Sequence, residues 1–104
     1  MNATIKNRIG NCNKYIRESM EYVTSRKNEL SLINKPGFDN CEVNIEIIIE
    51  ILNSVNTIVE QLSMKDLHEY DKHDLILLDQ VEFKLQMVRM AVNYIESMRR
   101  WILL

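Results

Sequence analysis

The chain has one proline, Pro36, followed directly by one of its only two glycines, Gly37. Proline cannot continue a helix and glycine favours a turn, so Asn34-Lys35-Pro36-Gly37 is a hard stop. On either side, long stretches carry apolar residues at spacings of three and four. So few breakers cannot supply the many turns of an all-β protein, and long helices are the expected product.

The first segment runs from about Asn11 to Ile33. Its apolar residues, Ile9, Cys12, Ile16, Met20, Val23, Leu30 and Ile33, follow a helical spacing that weakens at Arg26-Lys27. Gly10-Asn11 is a candidate break. Ile5 and Ile9 continue the stripe, however, so a start near Asn2 or Thr4 is the alternative. The second segment opens at Asp39 or Asn40, and Asp39-x-x-Glu42 has the form of a capping box. Ile45, Ile48, Leu52, Val55, Val59 and Leu62 make a heptad-like stripe, widened by Ile47, Ile51 and Ile58. Val43, Ile45, Ile47, Ile49 and Ile51 also alternate with the period of a strand. A lone strand would leave its backbone groups unpaired, and helical spacing continues unbroken to Leu62, so helix is the expectation.

The third segment runs from about Asp74 to the C-terminus, capped by Asp71 or Asp74. It carries two apolar stripes. One is Leu78, Val81, Leu85, Val88, Val92, Ile95 and Ile102; the other is Phe83, Met87, Met90, Tyr94, Met98 and Trp101. Between the second and third segments, Ser63-x-x-Asp66 predicts a short helical element over Met64–Tyr70. The expected fold is all-α: one domain over residues 1–104, an antiparallel bundle of three long helices with a short fourth element. Helix three carries more apolar surface than two neighbours need, so self-association or a protein partner is expected.

The formal charge is −2, which gives no global field for nucleic acid or an anionic membrane. The charge is unevenly spread. Met1–Pro36 has seven Lys/Arg against three Asp/Glu, while Gly37–Asp66 has one against six. Packing of these two segments together, or two different partner surfaces, is expected. The start of the sequence lacks a continuous apolar signal region, and Val43–Leu52 is interrupted by Asn44, Glu46 and Glu50. Neither a membrane helix nor a secretory leader is expected, and a cytoplasmic address follows. Thirteen Ile, eleven Asn and two Ala point to an A- and T-rich coding sequence, as in many phages, plasmids and low-GC bacteria.

Chemistry-bearing residues are sparse. Cys12 and Cys41 would lie far apart in a hairpin hinged at Pro36, so free thiols in a reducing compartment are expected. His68 and His73 sit among Asp66, Glu69, Asp71 and Asp74. In a continuous helix Glu69 and His73 would share a face, which makes them weak candidates for metal. Zincin-type spacing fails because Lys72 stands where the second His belongs, and no Glu-x-x-His occurs. Glu46, Glu50 and Glu60 read as the wet face of helix two, in part facing basic helix one. Lys14, Arg17, Arg26 and Lys27 are candidates for phosphate contact, but they interleave with Glu18, Glu21 and Glu29. Arg99-Arg100 suits a helix C-terminus. Two glycines cannot build a phosphate cradle, and neither Gly-x-Ser-x-Gly nor the Arg-x4-His spacing of helical ribonucleases is present.

The stripe Phe83, Met87, Met90, Tyr94, Met98 and Trp101 is either ordinary core or a docking face, since Met and aromatic anchors are enriched at interfaces. The expectation is a small protein without catalysis or cofactor. It would bind a partner protein or a second copy through that stripe, in the manner of an inhibitor, immunity protein or adaptor. The first alternative is a dimeric nucleic-acid-binding regulator using helix one. The second is a metal-binding sensor or enzyme at His68 and His73.

Overall fold

A computed structural model describes residues 2–33 and 38–103. The stop at Asn34–Gly37 and the final Leu104 lie outside the described residues. Among the described residues, three α-helices make up the fold, α1 (Asn2–Leu30), α2 (Phe38–Ser63) and α3 (Lys72–Leu103), with a 3-10 turn at Leu67–Glu69. Cross-helix contacts fix the directions. Lys27 of α1 meets Glu46 of α2 and Asn13 meets Ser63, so α1 and α2 are antiparallel. Arg8 meets Glu82 and Glu29 meets Arg99, so α1 and α3 run parallel. The result is an up-down-up bundle, 53 × 18 × 17 Å, in which α2 packs along both neighbours.

The core comes from the expected stripes. On α2, Ile45, Ile48, Leu52, Val55, Val59 and Leu62 are all buried. On α3 the buried set is Leu78, Val81, Leu85, Val88, Ile95 and Ile102, with Val92 packed at its edge. On α1, Ile5, Ile9, Cys12, Ile16, Val23 and Leu30 complete it. Each such side chain contributes about 1.5–3 kcal/mol on burial. That gain explains the start of α1. The helix runs through Gly10, whose cost relative to Ala is about 1 kcal/mol, because Ile5 and Ile9 are buried only if it does. The alternative start near Asn2 therefore holds, and the start near Asn11 is corrected.

Two capping expectations are also corrected. On α2, Phe38 is already helical, so Asp39 and Asn40 lie inside the first turn, where Asp39 faces the positive end of the helix dipole. The Ser63 hydroxyl donates back to the Val59 carbonyl at 2.7 Å instead of capping the next element, and Met64–Tyr70 is reduced to the Leu67–Glu69 turn.

At α3 the caps are reciprocal. The Asp74 N–H donates to Asp71 Oδ1 at 3.0 Å, and the Asp71 N–H donates to Asp74 Oδ2 at 3.1 Å. This is a capping box built from two aspartates, and it starts the helix at Lys72.

Candidate functional site

The two apolar stripes of α3 part company in space. The Leu78–Ile102 stripe fills the bundle. The other faces outward: Phe83 is 67% exposed, Met90 72% and Trp101 75%, with Met87 and Tyr94 near one half. Met98 is the exception and packs partly against the core. Ile76, also exposed, extends the outer stripe towards the helix start. Its side chains share one strip of the helix because three- and four-residue steps return to nearly the same azimuth.

Beside this face, α1 and α3 leave a groove of about 550 Å³ lined by Cys12, Tyr15, Glu18, Glu82, Phe83 and Arg89. The Arg89 guanidinium lies over the Tyr15 ring at 5.5 Å, and the Phe83 ring lines both groove and outer face. Burial pushes the Cys12 thiol above its ordinary value, and Cys41 is buried and raised for the same reason. Both cysteines are free.

The basic residues of α1 are largely engaged. Lys27 pairs with Glu46 at 2.6 Å, Arg26 with Glu29 at 3.0 Å, and Lys14 with Glu18 at 4.0 Å. Arg17 lines a second groove of about 370 Å³ with Met20, Glu21, Asn53 and Asn56. The acidic α2 therefore draws in Lys27, but most cross-bundle pairing of α1 goes to α3. Arg8 bonds both Glu82 and Asp79, which raises its pKa above the ordinary guanidinium value. Arg99 reaches Glu29 at 2.8 Å, so it holds α1 to α3 instead of capping its own helix end. Tyr22 donates to Glu96 on the same seam, beneath the Arg26 guanidinium. Sequence spacing offered no signal for these pairs, which join residues about seventy positions apart.

The histidines are separated by a break in the helix. Tyr70 is extended, so Glu69 and His73 do not share a helical face. His68 instead has its ligand atoms within 4.8 Å of those of Asp66 and Glu69, all three exposed, and His73 stands apart on the first turn of α3. Among the carboxylates of α2, Glu46 is held by Lys27, and Glu60 accepts from Asn56 at 3.1 Å. Among the described residues no helix is long and apolar enough to cross a membrane.

Comparison with protein-family models, with curated proteins and with solved structures finds nothing that matches this chain.

Proposed function

We propose that this chain is a small non-catalytic interaction protein that binds a partner protein, or a second copy of itself, through the outer face of α3. One observation carries the reading. Phe83, Met87, Met90, Tyr94 and Trp101 are exposed along one helix whose opposite face already completes the core. Contiguous apolar surface of this kind is unusual on a protein that acts alone, and it marks a contact site. Methionine and aromatic side chains suit the role, because they adapt to a partner and bury large areas with few rotatable bonds. The mechanism is occlusion or scaffolding, in the manner of an inhibitor, immunity protein or adaptor. A cytoplasmic address and a phage- or plasmid-borne origin accord with the free thiols and the Ile- and Asn-rich, Ala-poor composition.

The test is affinity capture from the source cells, with and without nuclease, using the wild-type chain and a Phe83→Ser/Met90→Ser/Trp101→Ser variant. The expected result is a stoichiometric protein retained by the wild type and lost by a variant with unchanged helicity. Capture of nucleic acid alone, abolished by nuclease, would overturn the reading and return Lys14, Arg17, Arg26 and Lys27 to the centre.

A further inference from the structure

The outer face of α3 has an internal order that points to its occupant. Residues Ile76, Gln80, Phe83, Met87, Met90, Tyr94, Ser97 and Trp101 follow alternating steps of four and three, with a repeat of seven. That is the spacing of a coiled-coil seam, here on the exposed side of α3. All eight are exposed.

We infer that this face pairs with the same face of a second copy, with the two α3 helices antiparallel. The inference rests on the docking reading above and names its partner.

The seam is self-complementary in one register. Place a two-fold axis opposite the peptide between Val88 and Arg89. Met90 then meets Met87 of the second copy, and Tyr94 meets its Phe83. Ser97 meets Gln80, so the two polar positions share a layer and spoil no apolar one. Trp101 meets Ile76. Symmetry repeats each layer on the other side of the axis. The flanking positions agree. In this register Asp79 falls beside Arg100 of the second copy, and Leu77 falls beside Met98. Asp79 already accepts from Arg8 but keeps 69% of its side chain exposed, which leaves room for a second cation.

A parallel pairing also places a cation, Lys84, beside Asp79. It would force Trp101 against Trp101 in one layer and align the two helix dipoles head to head. The antiparallel pairing opposes the dipoles and sets the largest side chain against a smaller one.

The available area is adequate. At their observed exposures, Phe83, Tyr94 and Trp101 alone leave on the order of 400 Å² per copy. Ile76, Met87 and Met90 add to this, and a standard interface needs about 800 Å² per partner.

The test begins with sedimentation equilibrium from about 1 µM to about 1 mM, with Trp101 fluorescence followed over the same range. The expected result is a species of twice 12.3 kDa and a blue shift of Trp101 as it forms. Met90→Arg sets unpaired charge beside the axis in both copies and is expected to weaken pairing about 100-fold or more while helicity is kept. Register is read in a Cys12→Ala/Cys41→Ala background. Phe83→Cys mixed with Tyr94→Cys is expected to cross-link on oxidation, and either alone is not. Cross-linking of each variant with itself would overturn the antiparallel arrangement. A chain that stays monomeric at the highest concentration would overturn self-pairing. If the capture experiment still retains another protein through Phe83, Met90 and Trp101, the docking reading survives that result. If the chain is a dimer and capture retains no other protein through those residues, self-pairing stands and only a separate partner is excluded; a monomer whose capture also ignores those residues overturns both.

Discussion

Lys65 and Asp74 close the connection between α2 and α3: the ammonium lies 2.8 and 2.7 Å from the two carboxylate oxygens. Asp74 is buried while Lys65 stays partly in water, so the pair draws a carboxylate into the bundle end without stranding it. Tyr70 fastens the same turn, donating to the Leu62 carbonyl at 2.6 Å while Lys6 approaches its ring. This corner sets where α3 begins, and hence which of its faces points outward.

Asp74→Asn is expected to lower stability by about 1–2 kcal/mol at neutral pH, through the lost ion pair and weakened cap. The Lys65 ammonium holds the Asp74 carboxyl below its ordinary value of 3.8. A carboxyl depressed in the folded state contributes stability above its unfolded pKa and loses it as pH falls through the folded one. Thermal unfolding of wild type and variant should therefore differ at pH 7, and the gap should narrow only as pH falls below 3.8 and through the depressed folded-state value. A gap that does not narrow on acidification below 3.8 would contradict the ion-pair account.

Gly10→Ala is expected to stabilise the protein by about 0.5–1 kcal/mol. Gly10 is exposed within α1, and an added Cβ meets nothing within 4 Å. Urea unfolding checks it through a higher midpoint at unchanged slope. A lower midpoint would mean that α1 does not run through this residue.

Leu52→Ala is expected to cost about 2–5 kcal/mol, because Leu52 is fully buried at the middle of α2. Ile47→Ala, half-exposed one turn away, is expected to cost under about 1 kcal/mol. Equal losses in a denaturant titration would show that the α2 face is wrongly assigned.

Cys12 and Cys41 are expected to resist thiol reagents in the folded protein and to react at once in denaturant. Burial holds both thiols protonated as well as covered. Fast labelling of either under native conditions would indicate local opening of the bundle.

Much of this fold was legible in the sequence, because burial follows periodicity. The Ile45–Leu62 stripe and the Leu78–Ile102 stripe marked the core faces of α2 and α3, though Val92 is only partly buried and Ile47, expected to widen the α2 stripe, is exposed. The strand-like alternation at Val43–Ile51 yielded to helix because the three- and four-residue spacing continued beyond it. The connection was not legible. Lys65, Tyr70 and Asp74 are isolated polar residues whose partnership depends on how the chain folds back between two helices. Arg8–Glu82 and Glu29–Arg99 were hidden for a related reason: spacing shows neighbours within a helix and says nothing across seventy residues. The outer face of α3 lay between these cases. Phe83, Met87, Met90, Tyr94 and Trp101 were evident from spacing, but Met98 packs partly against the core and Ile76 was missed. Whether they pointed inward depended on the position of α1 and α2 around α3, which no single helix encodes.

The decisive measurement is site-specific photo-cross-linking in the source cells, with a benzophenone amino acid replacing Tyr94 and, as a control, Thr57 on the exposed side of α2. Engagement of the outer α3 face predicts a discrete protein adduct from position 94, either a second copy or another chain, and none from position 57. Equal, diffuse labelling from both positions would contradict it and leave Phe83, Met87, Met90, Tyr94 and Trp101 as surface without a partner.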